Sequence, residues 1–355
     1  MLMKSSYRTW VEVSRSRIAG NFRAVRTLVG PNVEVCPVVK ADAYRHGAIE
    51  VSRILTGEGA RWLAVSSVEE GIALRNAGLS EPRILIMADL ICDELRAYRL
   101  TPVIHSLEDI PKLDGLPYHL KLDSGMGRLG TRAVAANLRP EGVMTHFASA
   151  ADYTRSQTED QCRYFDAFVS ALPVEPPYRH LASTIAIAYG RREAYKNMVR
   201  PGHAIYGYVS PVRALVDEAP PPNLLSVRPA LSWKARVLLV KDVPAGAPIG
   251  YGATYVTTRP ARIAILAAGY ADGIPRGLAN RGRVIAAGQF CPIIGAVSMD
   301  VTTIDVTSAP QLNSGDAVTL IGEEQDAHTL ARAAGTISYS LLCGISARVH
   351  RIYVD

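Results

Sequence analysis

The feature that most restricts the fold is an alternation of short apolar runs with helix-like patterns between residues 33 and 206. Eight of the runs have the composition of buried parallel strands. They cover residues 33–39, 62–66, 83–87, 102–104, 118–122, 142–146, 178–181 and 197–200. Helical patterns lie between several of them, for example at residues 48–56, 68–77 and 158–171. Because no GxGxxG turn follows the first strand, this alternation predicts a closed (β/α)8 TIM-like barrel rather than a Rossmann sheet.

The sequence on either side of this region has a different texture. Residues 10–13 predict a strand and residues 15–28 an amphipathic helix, with Ser14 as its N-cap. Further on, a cluster of breaker residues at 217–223 (DEAPPPN) indicates a linker.

Beyond the linker, short strands are separated by Gly and Pro turns, which is typical of a smaller, mostly β domain. The predicted strands cover residues 235–240, 261–267, 283–286 and 317–321, and a helix is predicted at 327–334. We therefore expect a barrel domain at 1–222 and a β domain at 223–355. The first strand, at about 8–13, precedes the barrel and can pack with the β domain instead.

Composition excludes several classes of function. The 355 residues are 48% apolar and 20% charged, which is typical of a soluble globular protein. The net charge is +6, but Lys and Arg are scattered, so we expect no nucleic-acid partner. Five widely separated cysteines predict neither a disulfide framework nor a zinc site. The N-terminal residues lack an apolar signal region and no run is long enough to span a bilayer, so we expect a cytoplasmic protein without membrane partners.

Lys40 is the most distinctive residue of the predicted barrel. It ends the apolar run of the first strand, so its side chain is better placed to enter a pocket than to reach solvent. A desolvated lysine loses part of its preference for the charged form, and its free amine can attack a carbonyl group to form a Schiff base. The alternative is a buried lysine paired with a carboxylate such as Asp42. This segment alone does not decide between the two.

More polar residues follow the later strands at the end of the barrel where such folds build their sites. They are Lys121, Asp123 and Arg128 after the fifth strand, His146 at the end of the sixth, His180, Ser183 and Thr184 at the seventh, and Arg200, Gly202 and His203 at the eighth. Barrels often hold a phosphate at the loops after strands seven and eight. A phosphate site together with a lysine suggests pyridoxal 5'-phosphate (PLP), which is anchored by its phosphate while the lysine holds its aldehyde.

Structural interpretations of the same residues stay open at this point. His180 fits a hydrogen-bonded core histidine. Arg128 and Asp123 fit an ordinary ion pair. Ser183 and Thr184 fit the cap of the following helix.

Eight segments, in order along the chain, resemble the alanine racemase family, which is PLP-dependent and combines a barrel with a β domain. The segments are 39–44 (VKADAY), 121–128 (KLDSGMGR), 145–148 (THFA), 200–202 (RPG) with 206–207 (YG), 251–255 (YGATY), 269–273 (GYADG), 297–300 (VSMD) and 345–349 (ISARV). The resemblance covers essentially the whole length. It implies a racemase that interconverts L- and D-alanine, and a homodimer whose active sites are shared between subunits.

The resemblance also implies a role for each matching residue. Lys40 would carry PLP and act as one catalytic base, and Tyr251, supplied by the partner subunit, would be the opposite base. Arg200, backed by His180, would face the pyridine nitrogen, and His146 would contact Tyr251 or Arg200. The phosphate would be held by Tyr44, Thr184, Gly202, His203 and Tyr339. The remaining roles are Arg128 and Met299 at the substrate carboxylate, Lys121 as a carbamate that orients Arg128, and Asp300 in support of Tyr251.

These roles agree with the chemistry of racemisation. Two bases on opposite faces of a planar cofactor can remove and return the Cα proton without turning the substrate. A tyrosine base, with a reference pKa of about 10, needs cationic neighbours to act near neutrality. An arginine opposite the pyridine nitrogen keeps that nitrogen unprotonated and discourages a long-lived carbanion, which restrains transamination.

Several positions depart from the commonest family pattern. Asp42 and Arg45 stand where asparagine and glycine are usual. Ser183 and Thr184 end a stretch that usually closes on asparagine-serine. Ala296 stands where an arginine usually precedes the VSMD segment, so the charge near substrate entry differs.

Three rival functions use the same chemistry or the same cofactor. Racemisation of another small amino acid, such as serine, is opposed by the ring of Tyr339, which would fill the space of a hydroxymethyl group. A non-catalytic PLP-binding protein of the single-barrel type would lack the β domain. A PLP decarboxylase of related fold is disfavoured by the racemase-like segment at 251–255.

Overall fold

The computed structural model describes residues 7–133, 135, 137–216 and 218–355. The first six residues and Asp217, where the predicted linker begins, lie outside the described residues. The chain forms two compact units. The barrel unit contains Ser16–Ala43 and Gly47–Arg228, and the β unit contains the described residues up to Arg15, the short segment Tyr44–His46 and Pro229–Asp355.

The strands, in chain order, are β1 (Thr9–Ser14), β2 (Glu34–Val35), β3 (Trp62–Val65), β4 (Arg83–Ile86), β5 (Leu100–Ile104), β6 (His119–Lys121), β7 (Gly142–Met144), β8 (Tyr178–His180), β9 (Met198–Val199), β10 (Leu231–Val243), β11 (Pro248–Ile249), β12 (Tyr255–Val256), β13 (Ala261–Leu266), β14 (Arg283–Ala286), β15 (Gln289–Pro292), β16 (Thr302–Asp305), β17 (Ala317–Ile321) and β18 (His350–Val354).

The right-handed α-helices are α1 (Arg15–Val29), α2 (Ala48–Gly57), α3 (Val68–Asn76), α4 (Glu94–Ala97), α5 (Gln157–Ser170), α6 (Thr184–Ala188), α7 (Ala327–Ala334) and α8 (Ser338–Cys343). Within the part of the chain that the structure describes, none of them is both long enough and apolar enough to cross a bilayer.

Eight parallel strands, β2 to β9, form the barrel unit. Strands β3 to β8 pair in sequence, and β2 pairs with β9. Parallel bridges from Val38 to Ala64 and from Ser183 to Arg200 connect the two groups. This order closes the ring, so the predicted (β/α)8 barrel is confirmed.

The first barrel strand is shorter than the predicted range of 33–39. Only Glu34 and Val35 have regular strand pairing, and the chain touches β3 again at Val38. Pro37 lies between these contacts, and proline has no N–H to donate to a strand ladder. Its carbonyl still accepts the N–H of Ala64 at 2.9 Å.

The β unit is built on a sheet in the order β15-β14-β17-β10-β1-β18, with β13 pairing β10 and β16. Strand β1 is antiparallel to β10 and parallel to β18. The first strand of the chain is therefore an interior strand of this sheet. Ser14 ends β1, and its hydroxyl donates to Oδ2 of Asp355 at 2.8 Å. The predicted elements at 283–286, 317–321 and 327–334 have the same bounds in the structure.

Candidate active site

Lys40 begins a left-handed turn, Lys40–Tyr44, shortly after the bridge between Val38 and Ala64. Five consecutive non-glycine residues, from Ala41 to Arg45, have positive φ, and Ala41, Asp42 and Ala43 lie near +54°. Left-handed backbone costs an L-residue about 1–2 kcal/mol. Such strain persists only where the surroundings enforce it, and it clusters at functional sites.

Hydrogen bonds around Asp42 hold this turn. The N–H of Ala43 donates to the carbonyl of Val39 at 2.8 Å. Oδ1 of Asp42 accepts the N–H of Ala48, the first residue of α2, at 2.8 Å. Glu70 accepts the N–H of Ala41 at 2.6 Å. The Asp42 carboxylate thus closes the start of α2, which gives this departure from the family pattern a structural role.

Arg200 is buried at the end of the barrel strands and is fixed by four contacts. Nη1 lies 2.8 Å from Nδ1 of His180 and donates to the carbonyl of that residue at 2.7 Å. Nη2 donates to the carbonyls of Thr145 at 2.7 Å and Leu181 at 3.2 Å. All four contacts use the terminal nitrogens, so the position of the guanidinium is set by the ends of β7 and β8.

Lys121 lies buried among cations. Burial first, and then the charges of Arg200, Arg128 and Lys40, lower its pKa to about 8, whereas Asp123 acts in the opposite direction. Arg128 itself is exposed. The ends of the first, fifth and eighth barrel strands therefore bring four cationic side chains together.

His146 follows β7 within the same electrostatic environment. Burial lowers its pKa to about 3, and Arg200, Lys121, Arg128 and Lys40 contribute in the same direction. The ring is therefore neutral near pH 7, so it can accept a hydrogen bond as well as donate one.

The loop after β6 is organised by Asp123. Its Oδ1 accepts the N–H groups of Gly125, Met126 and Gly127 at 2.9–3.2 Å. These bonds lower the pKa of Asp123, and the N–H of Gly127 has the largest effect. The carboxylate is thus engaged by the backbone of the loop that carries Arg128, and this use differs from the simple side-chain ion pair that the sequence left open.

Thr184 joins the loops after β8 and β9. Its Oγ1 accepts the N–H of Gly202 at 3.2 Å and of Ala204 at 3.1 Å. Both bonds use oxygen lone pairs, so the hydroxyl hydrogen is left to donate. Ser183 takes the N-cap position of α6 but makes no side-chain cap bond. Gly202 and His203 are buried at the turn that follows β9, where the N–H of Gly202 reaches Thr184.

The β unit contains the remaining predicted residues. Tyr44 is buried, and its ring centroid lies 6.0 Å from that of Tyr339. Burial raises the pKa of the Tyr44 hydroxyl, and Tyr339 and Cys343 add to the effect. Arg45 donates from Nε to the carbonyl of Cys343 at 3.4 Å, and its own carbonyl accepts from Nε of Arg351 at 3.0 Å.

Tyr251 and Met299 are exposed on the β unit, with 77% and 54% of their surface accessible. Asp300 accepts from Nη2 of Arg348 at 2.8 Å, and Arg348 also binds Asp272 at 2.7 Å. Ala296 is half-buried, in the loop next to β15.

Sequence reasoning missed His119. This residue is fully buried on β6, two positions before Lys121, and its Nδ1 lies 2.8 Å from Nε2 of His180. The available signal was the spacing, because residues two apart on a strand share a face.

The donor set fits PLP, an anion that carries an aldehyde. Lys121, Lys40, Arg128 and Arg200 form a cationic cluster, and Asp123 is the anion that acts on Lys121 against these charges. A phosphate would compensate such a cluster, and the amine of Lys40 can hold a carbonyl carbon. Among the described residues, no group of three or more His, Cys, Asp or Glu side chains is arranged to hold a metal ion.

Comparison with known proteins covers nearly the whole chain. Residues 13–211 match the model of the alanine racemase N-terminal domain, and residues 230–353 match that of the alanine racemase C-terminal domain. An alanine racemase of Halothermothrix orenii is 40% identical, with 97% of this chain and 96% of that protein covered.

Two solved structures resemble the chain in fold. An alanine racemase from Streptomyces lavendulae superposes with a TM-score of 0.89 at 30% identity, over 99% of this chain and 98% of that one. An alanine racemase from Bartonella henselae, with covalently bound pyridoxal phosphate, superposes with a TM-score of 0.84 at 26% identity, over 98% of this chain and 100% of that one.

Proposed function

This chain belongs to the alanine racemase family, and on that premise we propose that it interconverts L- and D-alanine with PLP and two bases, Lys40 and Tyr251. The observation that carries the proposal is the cluster of Lys40, Lys121, Arg128 and Arg200 at the ends of the barrel strands. It supplies an amine for the cofactor and cationic charge for both the cofactor and an amino-acid carboxylate. The rival activities are not favoured by these relatives.

PLP, when bound, withdraws electrons from the amino-acid substrate and so makes its Cα proton removable. We assign its attachment to Lys40 and its phosphate to Tyr44, Thr184, Gly202, His203 and Tyr339. The Thr184 hydroxyl supports this assignment, because two backbone N–H groups occupy its lone pairs and leave its hydrogen to donate.

We assign Arg200 to the pyridine nitrogen. Its fixed guanidinium keeps its proton near pH 7, because burial lowers its pKa only to about 10. A cation that does not transfer its proton leaves the facing nitrogen unprotonated. The residue would thereby favour return of the Cα proton over side reactions.

Lys40 and Tyr251 would each hold or release one proton on opposite faces of Cα. Lys40 would act through its Nζ, and the Tyr251 hydroxyl would act on the other face, with His146 in hydrogen-bond contact with Tyr251 or Arg200 and Asp300 in support. Arg128 and Met299 would bind the substrate carboxylate and fix which bond faces the bases.

We propose that Lys121 is carbamylated. Its pKa near 8 leaves more neutral amine than an ordinary lysine has, and only the neutral amine reacts with CO2. The ammonium first loses one proton, and the neutral amine then attacks CO2, which forms an N–C bond and releases a second proton. Loss of two protons and gain of CO2 thus convert a cation into an anion. The product would neutralise part of the cluster and orient Arg128.

We propose a homodimer in which Tyr251 serves the partner's site. The exposure of Tyr251 and Met299 supports this arrangement, because a base and a substrate contact that are exposed on one chain need a second surface to exclude water. Two-fold symmetry would then give two equivalent composite sites. We also assign the protein to the cytoplasm, since its five cysteines are free thiols.

Chiral chromatography of single amino-acid enantiomers, incubated with protein and PLP, tests the activity. We expect D-alanine from L-alanine and the reverse, with serine turned over much more slowly. Racemisation of serine at the rate of alanine, or of neither amino acid, would contradict the proposed substrate.

A further inference from the structure

A chain of hydrogen-bonded side chains extends from Arg200 into the interior of the barrel. Nη1 of Arg200 lies 2.8 Å from Nδ1 of His180, and Nε2 of His180 lies 2.8 Å from Nδ1 of His119. Arg200 is 3% exposed and neither histidine is accessible. We call these three residues the relay.

The first contact determines the tautomer of both histidines. Arginine has only donors, so Nδ1 of His180 must accept and carries no hydrogen. The single hydrogen of a neutral His180 ring is then on Nε2, which donates to Nδ1 of His119. His119 must in turn carry its hydrogen on Nε2.

Both rings are neutral, which the assignment requires. Burial lowers the pKa of His119 to about 3, with Arg83 and Arg200 contributing. Burial also holds the pKa of His180 well below its usual value. At the far end, Nε2 of His119 has no hydrogen-bond partner among the described residues and lies 4.0 Å from Oε2 of Glu141. Glu141 is itself paired with Arg83.

A glycine beside His119 leaves the space for this orientation of the ring. A Cβ on Gly142, the neighbour of His119 across β7, would lie 2.6–2.7 Å from three atoms of the imidazole. Tyr178 stacks on the ring with centroids 5.7 Å apart, and Trp62 packs at 5.2 Å. The glycine therefore provides the space that lets His119 lean across β7 to His180.

We propose that His119 is a positioning residue for the cofactor-facing guanidinium of Arg200. It acts by accepting the Nε2–H of His180, which keeps Nδ1 of His180 available to Arg200. Without that acceptor, His180 has a buried unsatisfied donor. His180 can adopt the other tautomer, with its hydrogen on Nδ1, only if Arg200 moves away, because the guanidinium also donates at that nitrogen. The inference rests on the proposed function, since it assumes that Arg200 faces the pyridine nitrogen.

The tautomers can be measured directly by 15N NMR of histidine-labelled holoenzyme. For His119 and His180 we expect an unprotonated Nδ1 and a protonated Nε2. A hydrogen on Nδ1 of either ring would overturn the relay. This readout is independent of turnover, so it separates failure of the relay from failure of the proposed racemase function.

Three variants test the consequence for Arg200. His119→Leu removes the acceptor, His119→Gln can retain one through its side-chain carbonyl, and Tyr178→Leu removes the ring that packs on His119 but no atom of the relay. The readouts are the His180 15N shifts and the ratio of transamination to racemisation. We expect His119→Leu to raise that ratio at least about tenfold, the effect of losing one hydrogen bond to a charged network.

His119→Gln should return the ratio toward that of the wild type, and Tyr178→Leu should leave it unchanged. An unchanged ratio and unchanged His180 shifts in His119→Leu would reduce His119 to a packing residue and overturn the proposal. An equal rise in Tyr178→Leu would do the same. If His119→Leu does not fold, Gly142→Ala can be used instead, because its methyl group would displace the His119 ring. The 15N measurement of the wild-type tautomers tests the relay without any variant.

Discussion

Arg200 and His180 form a buried pair in which Nη1 lies 2.8 Å from Nδ1. Because the arginine can only donate, the contact fixes both the guanidinium and the tautomer of the imidazole. The pKa of Arg200 stays near 10 despite burial, so the residue remains a cation at neutral pH. The pair is a rigid positive element at the strand ends, and its proposed use is to keep a facing pyridine nitrogen unprotonated.

Replacing Lys40 with alanine should remove the covalent attachment of PLP and one base together. We expect loss of the visible absorption of the attached cofactor and a fall in racemisation by several orders of magnitude. Absorption spectra after removal of free PLP, and chiral assays in both directions, measure these effects. Substantial activity of this variant in both directions would remove Lys40 from the mechanism.

Tyr251→Phe should bind PLP normally, because attachment depends on Lys40. It should lose exchange of the Cα proton on the face that the phenol serves, so that one enantiomer is affected first. Exchange from each enantiomer in deuterated water can be followed by NMR. Equal exchange from both, at nearly the wild-type rate, would reduce Tyr251 to a surface residue.

Lys121 should carry CO2. Protein equilibrated with 13C-bicarbonate should show one carbamate carbon that is absent in Lys121→Met, and this variant should bind alanine more weakly because Arg128 loses its anionic neighbour. Lys112→Met is the matched control, since Lys112 is an exposed lysine paired with Asp109 at 2.7 Å. A carbamate signal that survives in Lys121→Met, or disappears in Lys112→Met, would contradict the assignment.

Asp42→Ala should destabilise the fold by about 1 kcal/mol, the usual cost of losing a side-chain acceptor at a helix start. Its carboxylate accepts the N–H of Ala48 at 2.8 Å. Asp42→Asn keeps an oxygen there and should retain most of the stability. Denaturant unfolding of the two variants measures the difference. Equal losses would show that the charge, and not the hydrogen bond, matters at this position.

The sequence predicts the barrel well because parallel strands that are buried on both faces have continuous apolar runs, and these runs stand out from the amphipathic helices between them. Local chemistry limits the prediction at Pro37, which interrupts the first strand. The left-handed turn at residues 41–45 is hidden, because its alanine, tyrosine and arginine residues have no side-chain property that favours positive φ, and a single aspartate is a weak signal.

Long-range contacts limit the prediction further. His119 lies within an apolar strand and reads as a core residue until the register shows Gly142 beside it and His180 within reach. The same holds for Tyr44, which lies four residues after Lys40 but packs with Tyr339 of the β unit. The spacing of two residues puts His119 on the same face of the strand as Lys121, but the contacts of both His119 and Tyr44 depend on which strands and loops become neighbours, and no local pattern encodes that.

Mixing Lys40→Ala with Tyr251→Phe under conditions that allow subunit exchange tests the central claim, a site shared by two chains. Each single variant should be nearly inactive. In a heterodimer, one composite site carries both defects and the other carries neither, so random pairing should restore about a quarter of wild-type activity. If the mixture stays inactive although mass spectrometry shows that heterodimers have formed, the two bases belong to one chain and the shared-site account is wrong.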